Sequence, residues 1–193
     1  MFQRIVLATA VVFLATAAQA DQWTLDVPHT SVQFKVSHLV ISKVVGNFGE
    51  FSANLEFDGK DVTSGKIDMT VKVASINTDN PDRDKHLRSG DFFAAENHPD
   101  MSFKSKNVVK GNDNKFQLVG DLTIRGVTKE VTFDCVFNGA VEFMGTSKAG
   151  FTAKTTINRQ DFGVSWSKSL DGGGLVVGDE VEISLELEFN KTA

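Results

Sequence analysis

Tyrosine is absent from this 193-residue chain, cysteine occurs once, at Cys135, and proline only three times. A single thiol excludes an intramolecular disulfide, so the fold has to be held by packing. The same scarcity removes the usual zinc spacings: there is no cysteine pair, and none of the four histidines lies four residues from another. Lys and Arg number 20 against 25 Asp and Glu, a net charge of -5, which argues against nucleic acid as a partner. A G-x-S-x-G nucleophile elbow is missing too. Asp161-Phe162-Gly163 spells a kinase magnesium motif, but the glycine-rich and catalytic loops that would give it meaning are absent. Gly172-Gly173-Gly174 is not followed by the Lys-Ser/Thr of a phosphate cradle. No cofactor or metal is implied, and no residue reads as catalytic, so the chain is expected not to be an enzyme.

Long apolar runs are also lacking. The uncharged stretch from Ile5 to Ala17 follows Arg4 and precedes Ala18-Gln19-Ala20, the pattern of a secretory signal peptide cleaved after Ala20. It falls short of the roughly 20 residues that span a bilayer, and no second run follows, so no transmembrane segment is expected. Residues 1–20 are thus expected to be a leader and residues 21–193 a single exported domain.

What the chain has in abundance is phenylalanine, sixteen in all, which brings bulk without a hydroxyl needing a partner. It also alternates apolar and polar residues with a period of two. Phe51, Ala53, Leu55 and Phe57 stand against Glu50, Ser52, Asn54 and Glu56; Val181, Ile183, Leu185, Leu187 and Phe189 stand against five polar residues. Similar runs cover Ser31–His38, Ile67–Val73, Met101–Phe103, Phe116–Ile124, Val131–Phe137 and Phe151–Ile157. Strands with one dry and one wet face pair antiparallel. Turn residues at Asp58-Gly59, Gly111–Asn114, Gly126 and Asn138-Gly139 separate them. Roughly eight to ten such strands give an all-β fold, a sandwich or a closed barrel whose interior is either filled or holds one small ligand. The opening segment and the long stretch Asn158–Asp179 break the rhythm and are expected at one rim.

The charged segment RDKHLRSGDFF, residues 83–93, reads as a short helix from Pro81 to Ser89. Asn80 is the cap, Pro81 the first helical residue, and Asp82 and Asp84 face the dipole. Asp84 and Arg88 have ion-pair spacing, Leu87 is the apolar anchor, and Phe92 and Phe93 can press the helix onto a barrel mouth. Arg83, Lys85 and Arg88 are candidates for holding an anionic head group. His38 ends an inward-facing strand, and Trp166 in the long irregular stretch suits a wet rim. Cys135 alternates inward, as inert packing.

Several of these strings together resemble the YceI-like family of exported bacterial proteins. They are Leu25-Asp26, His29–Phe34, His38-Leu39, Gly46-Asn47-Phe48, Ser75–Thr78, Arg83–Ser89 with Asp91-Phe92-Phe93, Pro99 with Phe103-Lys104-Ser105, Gly120–Lys129, Asn158-Arg159 and Asp161-Phe162-Gly163. The resemblance implies a lipocalin-like extended antiparallel barrel, located in the periplasm, whose apolar interior binds a polyisoprenoid or similar long-chain amphiphile such as a quinone tail or fatty acyl chain. A hollow running the length of the barrel would then be lined by Phe34, Val36, Phe51, Leu55, Met69, Val71, Phe103, Leu122, Phe133, Phe137, Phe151, Ile157 and Leu185. Arg83, Lys85, Arg88, His38 and Trp166 would surround the head group. Two other readings stay open: a structural or stress-protective protein with a solid core, working as a homodimer, and an enzyme acting on an amphiphile with His38 or His86 as general base.

Overall fold

A computed structural model describes residues 20–192. The expected leader lies, apart from Ala20, outside the described residues.

Eleven strands and one α-helix follow in chain order: β1 (Asp21–Leu25), β2 (Ser31–His38), β3 (Ser42–Phe48), β4 (Phe51–Phe57), β5 (Lys66–Lys72), β6 (Ile76–Asn77), α1 (Pro81–Arg88), β7 (Asp100–Lys110), β8 (Lys115–Ile124), β9 (Val127–Phe143), β10 (Thr146–Asn158) and β11 (Val177–Lys191). Eight of them close an antiparallel barrel in the order β1-β4-β5-β7-β8-β9-β10-β11, with β11 returning to β1. Strand β11 is long enough to serve two partners along one edge. Its C-terminal part pairs with β1, Leu25 opposite Phe189, while Val181–Glu186 pairs with β2, which carries β3 and β6 outward. The barrel is therefore closed tightly at the β1 end and flared at the other, where α1 sits. Among the described residues no helix is long and apolar enough to cross a membrane.

Alternation delivers the dry face as expected. Ala53, Leu55 and Phe57 of β4 are buried, as are Phe133 and Cys135 of β9 and Leu187 and Phe189 of β11, the last fully. The β1 end is filled largely by aromatic rings. Phe57 meets Phe137 and Phe151 edge-on at 5.5 and 5.6 Å, and Phe151 meets Phe189 at 6.2 Å. Trp23 donates its indole N–H to the Phe57 carbonyl at 2.8 Å, pinning β1 to β4.

Two sequence expectations are corrected. The opening segment does not lie at the rim with the long loop: it forms β1 and closes the opposite end, because Trp23 and Leu25 supply the inward apolar positions. Asn138-Gly139 is not a turn. Strand β9 runs through it to Phe143, the pairing with β10 shifts register between Gly150 and Phe151, and the turn falls on Met144-Gly145, both at positive φ. Strand β3 carries no clean apolar alternation, because its inward face includes Gly46 while Val45 points outward. Gly46 is inward of necessity: a Cβ there would lie 2.3 Å from Phe34 Cζ, so the Phe34 ring occupies the space above it.

Candidate functional site

The flared end is covered by α1 and two loops, each tied down by a buried or half-buried arginine or aspartate. Helix α1 forms where the sequence put it: the Asn80 side chain accepts from the Arg83 N–H at 3.0 Å, and Pro81 opens the helix. The expected Asp84–Arg88 ion pair is not made. Asp84 is buried and turns inward to accept from the backbone N–H and hydroxyl of Thr78. Arg83 donates to the same residue, Nε to the hydroxyl at 2.7 Å and Nη2 to the carbonyl at 2.6 Å. Arg88 instead donates to the carbonyls of Ala74 and Ile76, at 3.4 and 3.3 Å. Burial decides this: a carboxylate taken out of water needs fixed hydrogen-bond donors, and Thr78 supplies two of them to Asp84 Oδ1.

The long loop is organised by Arg159, which is only 5% exposed. It donates to the carbonyls of Gly178, Val164, Trp166 and Val177 and to the Asp179 carboxylate at 3.0 Å. Burial pulls its pKa down while Asp179 holds it up. Asn158 caps the 3-10 turn Arg159–Phe162, and Gly163 leaves that turn at φ 74°. This turn is the structural meaning of Asp161-Phe162-Gly163. Arg125 then links the loops, donating to the carbonyls of Gly163 and, at 2.9 Å, Gly90.

Beneath this cover lies a void of about 150 Å³. Of the residues expected to line a hollow, Phe34, Val36, Met69, Val71, Phe103, Leu122, Phe133, Ile157 and Leu185 surround it; Leu87, Phe92 and Phe93 roof it from α1 and the segment after it. A cavity of about this size lined by aliphatic and aromatic groups stays dry and takes a ring-sized apolar molecule. Leu55 and Phe151 line a separate void of about 50 Å³ at the β1 end. Phe51 and Phe137 line neither, Phe137 being locked into the ring cluster. The expected lengthwise hollow is thus divided. Phe103 and Phe133, 5.2 Å apart and edge-on, lie at the lower margin of the upper void at the level of Gly120.

Beside the upper void lies a mouth of about 190 Å³; the two share Phe34, Val36, Leu87, Phe92 and Val177 as common lining, and the mouth adds His38, Val44, Arg83, His86, Trp166 and Val176. Here the rings of His86, Phe92 and Trp166 meet within 5.0 to 5.5 Å, and His86 Nε2 is 2.9 Å from the Asp91 carboxylate. Of the five head-group candidates, His38, Arg83 and Trp166 border the mouth. Lys85 is exposed on α1 away from it, and Arg88 is consumed by backbone carbonyls. The organising roles of Arg159 and Arg125 were not read from sequence, where single arginines between apolar strands carry no spacing signal. Cys135 is buried, and desolvation pushes its thiol up to about 12, consistent with inert packing.

One further polar cluster lies at the β1 end. Lys148 Nζ donates to Asp26, Glu188 and Asn190 at 2.7 to 2.8 Å. The Asp26 carboxyl is held down at about 2 by the Lys148 hydrogen bond, with His29 and Asn190 assisting against burial. Asp26, His29 and Glu188 bring ligand-type atoms close together, but the lysine ammonium already serves as their cation.

The same chain architecture occurs in solved structures. BcnA of Burkholderia cenocepacia superposes with a TM-score of 0.72 at 26% identity, over 85% of this chain and 98% of that one. A Campylobacter jejuni YceI protein gives 0.71 at 37% identity, over 81% and 90%. A domain from Saccharophagus degradans described as polyisoprenoid binding gives 0.69 at 13% identity, over 88% and 98%, a likeness of fold alone. A UPF0312 protein of Staphylococcus epidermidis is 40% identical over 171 residues, 88% of this chain and 97% of that protein. The family model for the YceI-like domain matches residues 23–189. With its barrel, its α1 cover and a match over nearly all the described residues, the chain belongs to the YceI-like family.

Proposed function

We propose that this protein is an exported, periplasmic binding or carrier protein that holds a long-chain amphiphile, a polyisoprenoid, quinone tail or fatty acyl chain, with its tail in the barrel and its head at the α1 mouth. The observation that carries this reading is the apolar void under α1, set directly beside a mouth bordered by His38, Arg83, His86 and Trp166 and sharing five lining residues with it. Burying each CH₂ is worth roughly 0.8 kcal/mol, so several methylenes offset the cost of ordering a chain. The name of the S. degradans domain supports the ligand class. In this reading only the leading units of the chain enter the void as it stands, and a longer tail either rotates Phe103 and Phe133 aside or stays in the mouth.

The solid ring cluster at the β1 end suits the rival reading of a protein without cargo, but the void at the other end does not. The test is a titration with a polyisoprenoid alcohol followed by indole fluorescence. Trp166, at the mouth, should respond and its Trp166→Phe variant should not, while Trp23, far away, stays silent. An unchanged Trp166 signal, with no ligand retained on gel filtration, would remove the proposal.

A further inference from the structure

We infer that the β2–β3 turn, Leu39-Val40-Ile41, is a bilayer-docking tip that seats the mouth on a lipid surface. Two independent features single it out. The first is its backbone. Leu39 and Val40 have φ of 52° and 65°, and the Ile41 N–H reaches the His38 carbonyl at 3.3 Å. This is the geometry of a tight hairpin turn with both central residues left-handed, which Asn-Gly adopts readily and a β-branched residue only under strain. The second is exposure. Val40 is 66% and Ile41 85% exposed, so the strained turn also holds its apolar side chains in water. A turn selected only to connect two strands has no reason to carry both penalties. Inserting the side chains among lipid acyl chains relieves the second.

Position identifies the occupant, and this step rests on the carrier reading. The turn directly follows His38, and the Leu39 N–H donates to the carbonyl of Val176 at 2.9 Å; both His38 and Val176 border the mouth. The neighbouring loop accommodates it: a Cβ on Gly174 would lie 2.8 Å from Val40 Cγ2. Exposed Lys168, whose carbonyl accepts from the Val176 N–H at 2.9 Å, lies on the loop beside the tip, while Lys43 on β3 is paired with Glu182; long basic side chains reach head groups while apolar neighbours sink below them. A projecting two-residue turn is convex, a shape that enters a soft surface and offers little flat area to a second protein. A ligand leaving a bilayer would then pass from acyl layer to mouth without crossing water.

The barrel has a built-in control. At the opposite end the β9–β10 turn exposes Phe143 and Met144, 56% and 89%; Met144 and Gly145 are both at positive φ, but neither is β-branched, and the turn lines neither the upper void nor the mouth. The experiment is flotation of the purified protein with vesicles of phosphatidylethanolamine and phosphatidylglycerol, run beside the fluorescence titration with a polyisoprenoid alcohol delivered from solution. Ile41→Asp should weaken vesicle binding about tenfold or more, the scale of one buried aliphatic side chain. It should leave the titration from solution unchanged; Met144→Asp should leave both unchanged. Vesicle binding that survives Ile41→Asp, or falls equally with Met144→Asp, overturns the inference, as does a wild-type protein that takes the alcohol from solution but never floats. So does a wild-type dimer that Ile41→Asp converts to monomer, since the tip would then cover a second copy. Flotation without any titration signal would sink the carrier reading and leave the docking tip standing.

Discussion

The Phe103 ring lies over Gly120 of the neighbouring strand: a Cβ on Gly120 would come within 2.5 Å of Phe103 Cζ and 2.4 Å of the Lys104 carbonyl. A glycine in a strand interior weakens the strand, and here its missing side chain is the space that Phe103 fills at the lower margin of the upper void.

Shortening this margin should lengthen the hollow. Phe103→Ala is expected to cost about 3–5 kcal/mol of stability, and to shift ligand preference toward longer chains by opening the void toward the β1 end. Chemical denaturation gives the first quantity and competition between alcohols of graded length the second. Gly120→Ala should destabilise by about 1–3 kcal/mol through overpacking, because a backbone carbonyl cannot rotate away as a side chain can.

Arg159 should behave as the clamp of the long loop. Arg159→Met leaves the carbonyls of Val164, Trp166, Val177 and Gly178 without their donor, and unsatisfied buried groups cost about 1–3 kcal/mol each when water cannot reach them. Hydrogen exchange should rise across residues 164–178 and stay unchanged in β7 and β8. Arg159→Lys should rescue poorly, since one ammonium cannot reproduce the planar fork.

The Asp26 cluster predicts the acid limb of stability. Its carboxyl, held at about 2 in the fold against an ordinary 3.8, contributes stability that is fully present above the ordinary value and lost as pH falls through about 2. Asp26→Asn should lower Tm at neutral pH and flatten its fall between about pH 4 and 2. A variant whose Tm tracks wild type across that range would show the pair to be idle.

His38 and His86 separate binding from catalysis. His38→Ala and His86→Ala are each expected to retain the tail affinity within a few-fold, because methylenes in the void supply it. Any pH-dependent turnover of an amphiphile that one of these changes abolishes would favour the enzyme reading instead.

Much of the barrel was legible because its strands alternate. The runs in β4, β5, β8 and β10 have inward sets that the structure largely buries; in β2 and β11 Val32, Leu187 and Phe189 are buried and the rest of the expected inward residues are half-buried. The cap on α1 was legible for a local reason too, a side chain three residues from the N–H it accepts. What sequence hid were relationships set by closure. Strand β1 reads as an irregular leader into the domain until Trp23 is seen bonded to Phe57. The Asp84–Arg88 spacing suggests a helix-surface pair, yet burial against Thr78 overrides it. The candidate lining suffered likewise: inward alternation finds residues of the dry face, but cannot say which rings, such as Phe137, fill the interior and which, such as Phe34 and Leu185, border a void.

The most direct measurement is organic extraction and mass spectrometry of the protein purified from its own host. A lipid-tailed molecule recovered at near-equimolar amount, and lost when Val36 and Leu185 are both enlarged to Phe to fill the upper void, is the expected result. An empty extract, or one whose contents survive that filling, would contradict an interior site beneath α1.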